Sequence, residues 1–154
     1  MDSMPDKTAA TLAWLSVVRV YNLCDAAMTA RLAQLGLRVG EHEVLANLLR
    51  TPGMTQQELA KRCFVAKSGI SMMLTRMEAQ GLLRREADAK DGRIKRLYLS
   101  PSGEPLAQQS MAIQDEIVGL MMAPLSTSEL AAMTELAGRV GERLEQLHSN
   151  PSMK

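Results

Sequence analysis

The sequence predicts a mainly α-helical chain interrupted once by a small β-hairpin, and three observations carry that expectation. Apolar residues recur at three- and four-residue spacing over most of the 154 positions. The period drops to two only in the stretches flanking Ala87 to Arg93. Thr55-Gln56-Gln57-Glu58 and Ser126-Thr127-Ser128-Glu129 both have the hydroxyl-x-x-carboxylate form that satisfies unpaired amides at a helix start. With 46% hydrophobic residues the chain can bury one sizeable core without metal or disulfide, and it is read as a single domain, 1–154.

Residues 11–35 contain neither proline nor glycine, and Trp14, Val17, Tyr21, Cys24, Met28 and Leu35 form an apolar stripe that Leu12, Leu15, Val18 and Leu23 widen. That pattern is a long helix with enough apolar surface for two packing partners. Gly36 and Gly40 bracket a short connection, and residues 41–49 read as a second helix stopped by Thr51-Pro52-Gly53. The Thr55 box opens a third helix running to about Cys63. A fourth, from Lys67 or Ser68 to Gln80, puts Ile70, Leu74 and Met77 on one face and ends at Gly81, which supplies the left-handed residue.

Residues 82–86 and 94–99 then read as the strands of a hairpin with Asp91-Gly92 at its tip. Ser100-Pro101 suits the start of a helix reaching about Met122, although Pro105 sits awkwardly in its first turn. Ala123-Pro124 breaks that helix, the Ser126 box opens the last one, and Leu130, Met133, Ala137, Val140, Leu144 and Leu147 form a pairing seam. Two helices joined by residues 64–66 and followed by a hairpin make a winged helix-turn-helix over 40–100. The flanking stretches, 8–36 and 101–148, are assigned to dimerisation.

A net charge of +1 conceals an asymmetry. Residues 50–96 hold eleven Lys/Arg against five Asp/Glu, a balance of +6, so the rest of the chain carries −5. A basic segment in an acidic scaffold is the electrostatic footprint of a phosphate-binding surface. Aromatic residues are few (Trp14, Tyr21, Phe64, Tyr98), which counts against stacking on single strands and favours a duplex read through its grooves.

A recognition helix enters the major groove N-terminus first, so Lys67, Ser68, Gly69, Ser71 and Met72 are the candidates for base edges, with Arg76 reaching phosphate or pairing with an acid near Glu78. Gln56 lies where an amide meets the backbone of the duplex. In the hairpin, Asp91 can orient Arg93 toward a narrow minor groove, and Lys95 extends that basic edge.

The chain resembles the MarR family, the multiple antibiotic resistance regulators, over nearly its whole length. The resemblance is carried by Thr55-Gln56-Gln57-Glu58-Leu59-Ala60, residues 68–78, Gly81-Leu82-Leu83-Arg84-Arg85, Asp91-Gly92-Arg93 and Leu97-Tyr98-Leu99-Ser100-Pro101-Ser102-Gly103. Met72 stands where many similar proteins have a basic or longer polar residue, and Gly69 where they have a small hydroxyl or proline. The resemblance implies a homodimeric, cytoplasmic transcription regulator, a repressor in the first instance, on a pseudo-palindromic duplex operator.

It also implies a ligand pocket for a small aromatic or phenolic effector, lined by Trp14, Val18, Tyr21, His42 and Ile113 with Arg85 as the anion partner. Two alternatives stay open at this stage: a thiol-based redox switch at Cys24, one helical turn from Tyr21, and a winged helix used as a protein-interaction adaptor. Cys24 and Cys63 lack metal-ligand spacing, and His42 and His148 are far apart, so no metal or other cofactor is expected. Nor is an enzyme expected, since no phosphate loop or nucleophile-base arrangement stands out. No apolar run is long enough to span a bilayer, and residues 1–7 lack the basic and apolar regions of a signal peptide, so no membrane partner is expected.

Overall fold

The computed structural model describes residues 6–63 and 67–149. Among them the order is α1 (Lys7–Leu32), α2 (Val39–Arg50), β1 (Met54–Thr55), α3 (Gln56–Arg62), α4 (Lys67–Ala79), β2 (Leu83–Ala87), β3 (Lys95–Leu99), α5 (Gly103–Met122) and α6 (Thr127–Ser149). The mainly α fold with a small antiparallel sheet is the one the sequence predicts. The chain divides into two compact units after Ile117.

In the first unit, α1 begins at Lys7, one residue before the stretch 8–36 assigned from sequence, and the Asp6 carboxylate accepts the Thr8 amide at 3.0 Å and caps the first turn. Its far end tightens into a 3-10 turn over Ala33–Leu35, and Gly36, at φ 69°, reverses the chain. Only Met28 and Leu32 of α1 are buried. Leu12, Trp14, Leu15, Val17, Val20, Tyr21 and Leu23 stand exposed, so most of the apolar stripe is not part of the first unit's core.

One core cluster gathers the inward faces of the elements: Leu32 of α1, Val44, Leu45 and Leu48 of α2, Leu59 of α3, Ile70, Leu74 and Met77 of α4, Leu83 and Leu97 of the sheet, and Ala107 of α5. Each fully buried Leu, Ile or Met there contributes about 1.5–3 kcal/mol relative to exposure. At the joint of α2 and α5 the core turns polar. The buried His42 ring lies 3.0 Å by Nδ1 from Ser110 Oγ and 2.7 Å by Nε2 from Gln114 Oε1, so both nitrogens are matched.

The sheet has three strands in the order β1-β3-β2, one more than the hairpin expected from sequence. Met54 faces Leu97 and Thr55 faces Arg96 across the extra pairing. In the hairpin Leu83 faces Leu99, Arg85 faces Leu97 and Ala87 faces Lys95. Gly81, at φ 74°, ends α4 as the sequence requires. The fifth helix starts at Gly103, not Pro101: Ser100 turns the chain, its Oγ accepting the Gly103 amide at 3.0 Å. Pro105 therefore falls in the first turn, where its missing N–H removes no bond. A Cβ on Gly103 would lie 1.9 Å from the Leu82 carbonyl oxygen, so the two backbones meet without a side chain between them.

In the second unit the Ser126 box forms as read, with Ser126 N donating to Glu129 Oε2 and Glu129 N to Ser126 Oγ. None of α6 is buried, and Met133, Leu136, Val140, Leu144 and Leu147 are exposed along it. Among the described residues no single helix is long and apolar enough to cross a membrane.

Candidate nucleic-acid interface

The candidate interface comprises α3, α4 and the β2–β3 loop. Thr55 Oγ1 accepts the Glu58 amide at 3.1 Å, and Glu58 Oε2 accepts the Thr55 amide at 2.8 Å, which fixes the start of α3 and leaves Gln56 half-buried in its first turn. The backbone bond to Thr55 holds the Glu58 carboxyl below its ordinary pKa. Residues 64–66, the link to α4, lie outside the described residues, as do the side chains of Lys67 and Ser68.

Along α4 the inward positions are Ile70, Leu74 and Met77, and Ser71, Met72, Thr75 and Arg76 lie outward. Gly69 is half-buried in the first turn. Met72 is 78% exposed. The polar groups on this face are largely engaged. Thr75 Oγ1 donates to the Ser71 carbonyl at 3.0 Å and accepts Arg85 Nη2 at 3.1 Å. Arg76 Nη2 donates to Glu41 Oε1 at 2.9 Å. The acid that pairs Arg76 thus comes from the start of α2, whereas Glu78 pairs with Arg85 at 3.0 Å.

In the wing, Asp91 takes Arg93 in a two-point grip, Nε to Oδ1 and Nη2 to Oδ2, both at 3.1 Å. The Arg93 side chain is 91% exposed, so the grip aims a charge at solvent without burying it. Those bonds hold the Asp91 carboxyl below its ordinary pKa. Lys95 follows, exposed, at the start of β3.

Arg96, Asp88 and Glu41 carry structural duties that the sequence reading passed over. Arg96 Nε donates to Asp88 Oδ1 while its Nη1 donates to the Gly53 carbonyl at 2.8 Å. Asp88 Oδ2 also accepts the amides of Lys90 and Asp91, at 3.0 and 3.1 Å. One guanidinium therefore ties the wing loop to the turn before β1. Across the hairpin Arg96 faces Glu86, and Asp88 reaches it diagonally from the loop end, so strand register alone does not announce the pair.

The residues read as an effector pocket lie on four elements of the first unit, α1, α2, β2 and α5. Trp14 and Tyr21 are exposed on α1, Val18 is half-buried there, and Ile113 is half-buried on α5. His42 is buried and spoken for by Ser110 and Gln114. Arg85 sits on β2, turned to Glu78 and Thr75 of α4. Cys63 is buried, and desolvation, reinforced by Glu43, pushes its thiol up to about 11. Cys24 is half-buried on α1. Among the described residues no group of three or more His, Cys, Asp and Glu is placed to hold a metal.

A family model described as the MarR family matches residues 35–94. An uncharacterized HTH-type transcriptional regulator of Bacillus cereus is 32% identical over 111 residues, covering 72% of this chain and 74% of the relative. The chain belongs to the MarR family. Solved structures agree at the level of fold. AbsC, a MarR family transcriptional regulator from Streptomyces coelicolor, superposes with a TM-score of 0.82 at 24% identity, over 94% of this chain and 99% of that one. The organohalide-sensing RdhR transcriptional regulator, in its 2,4-dichlorophenol-bound form, gives a TM-score of 0.74 at 21% identity, over 93% and 88%.

As a MarR-family transcriptional regulator the protein has DNA as its partner. The matched segment, 35–94, contains α2, α3, α4 and the wing tip up to Arg93, and it overlaps most of the basic stretch 50–96. Family membership and charge distribution therefore select the same part of the chain.

Proposed function

We propose that the protein is a repressor that grips a pseudo-palindromic operator as a homodimer and is released by a small aromatic or phenolic effector, acting where the chromosome is, in the cytoplasm. The observation that carries the DNA arm is the Asp91–Arg93 grip, which preorients an exposed guanidinium at the tip of a wing braced by Arg96. A preoriented cation loses less freedom on meeting a phosphate-lined minor groove than a loose one does. Gln56, Lys67, Ser68, Gly69, Ser71, Met72, Arg76 and Lys95 make up the remaining contact surface, with Arg76 reaching phosphate from its tether on Glu41.

The dimer arm is supported by the apolar side chains that a single chain leaves in water, Trp14, Val17 and Tyr21 on α1 and Leu136, Val140 and Leu144 on α6. A second copy, paired by two-fold symmetry, covers such faces and sets two recognition helices on successive major grooves. The effector arm draws on the phenol-bound RdhR structure and on the mixture of rings at Trp14 and Tyr21, with Val18, His42, Ile113 and Arg85 as the other wall residues.

Titrating duplex DNA into the full chain at several salt concentrations tests the reading, with the oligomeric state followed by sedimentation. A steep fall of affinity with salt, a dimeric mass, and release by chlorophenols or aromatic acids are expected. Salt-independent association with a protein, and none with duplex, overturns it in favour of an adaptor. Release by peroxide that is lost in Cys24→Ser moves the switch from ligand to thiol.

A further inference from the structure

We propose that Met72 reads thymine, by packing its side chain on the C5-methyl group in the major groove. The inference rests on the duplex-binding reading above and adds what the recognition helix selects. Met72 lies in the second turn of α4, on the side opposite Ile70, Leu74 and Met77, and 78% of its surface is open to water. Its side chain therefore adds little to the fold of the single chain.

Its neighbours on that face are the reason it matters. Two of the polar groups are tied back to the protein: the Arg76 guanidinium, one turn on, is tethered through Nη2 to Glu41, and the Thr75 hydroxyl is held between the Ser71 carbonyl and Arg85. In the first two turns of α4 the described part of the face offers outward the Ser71 hydroxyl and the Met72 thioether arm. Among base edges in the major groove the apolar feature is the thymine methyl. Methionine is unbranched, with three rotatable bonds and a polarizable sulfur, so it can follow a methyl group whose position shifts with the helix approach. A long apolar side chain there also leaves unpaired any guanine or cytosine edge beneath it, which penalises the wrong base as well as favouring the right one.

The test begins with the full-length protein selecting duplexes from a library with a randomised core. The best-bound duplex is then resynthesised with each thymine in turn replaced by deoxyuridine, which removes the methyl and keeps every hydrogen-bonding group. Wild type is expected to lose affinity about fourfold at one or two positions, the worth of one buried methyl. Met72→Ala is expected to bind the thymine and uracil duplexes alike, and Met72→Leu to keep the discrimination. Met72 is exposed, so neither variant opens the core. Equal wild-type affinity for every substituted duplex, or undiminished discrimination in Met72→Ala, overturns the assignment while duplex binding stands. If no duplex is enriched, the duplex-binding reading falls and this inference with it.

Discussion

Glu41 holds Arg76 across two helices: its Oε1 accepts the guanidinium at 2.9 Å while its Oε2 accepts the Arg38 amide at the start of α2, also at 2.9 Å. One buried carboxylate thus caps a helix and fixes the angle at which α4 leans on α2. Glu41→Ala loses both bonds and should cost about 1–3 kcal/mol in urea unfolding, whereas Glu41→Gln keeps the cap and loses less. Equal losses for the two variants would show that the cap contributes nothing.

Arg93→Ala should weaken duplex binding with the oligomeric state unchanged, and should lower the slope of log affinity against log salt by about one unit. Fluorescence anisotropy across a salt series reads both. An unaltered slope removes the wing tip from the contact surface.

Ser71→Ala should redistribute the sequences selected from a random duplex library while leaving the mean affinity within a few-fold. A hydroxyl on a base edge contributes discrimination, and one on phosphate contributes affinity alone. Sequencing the bound pool separates the two.

The wing should loosen in acid later than ordinary carboxylates titrate. Asp88 is held down chiefly by its bond to Arg96, and Asp91 by its bonds to Arg93. A lowered folded pKa means that the stabilisation is present above the unfolded value, about 3.9, and is lost as pH falls through the folded one. The Lys90, Asp91 and Arg93 amides, which donate to these carboxylates, should hold their NMR shifts at pH 5 and move only below about pH 4. Midpoints at or above the ordinary value would contradict the grip.

Cys63 should resist alkylation in the native protein. Its thiol is pushed up to about 11, so at neutral pH the nucleophilic thiolate is scarce, and burial closes access. Iodoacetamide labelling followed by mass spectrometry should modify Cys63 only once urea unfolds the chain.

Periodicity and capping chemistry made the helices, Gly81 and the hairpin legible in the sequence, because each is set by residues within a turn or two of one another. What escaped depended on distant partners. β1 is two residues long, too short for any alternation to show, and exists because Leu97 and Arg96 pair with it. The start of α2 was missed because Arg38 is not a capping residue, and the help comes back from Glu41. At the candidate site the Asp91–Arg93 pairing could be anticipated from two-residue spacing. The tether of Arg76 could not, since its partner lies 35 positions upstream. The apolar stripe of α1 predicts a helix packed on two partners, yet only Met28 and Leu32 are buried, because amphipathic spacing says nothing about what covers a face.

The meeting of Gly103 with Leu82 has a mechanical meaning. Side chains between two elements act as a cushion, because rotamers can yield when one element shifts. Here the first turn of α5 bears directly on the main chain at the root of the wing. A methyl group at that joint, as in Gly103→Ala, has no room unless the two backbones part, so the approach of α5 to the wing depends on one missing carbon atom.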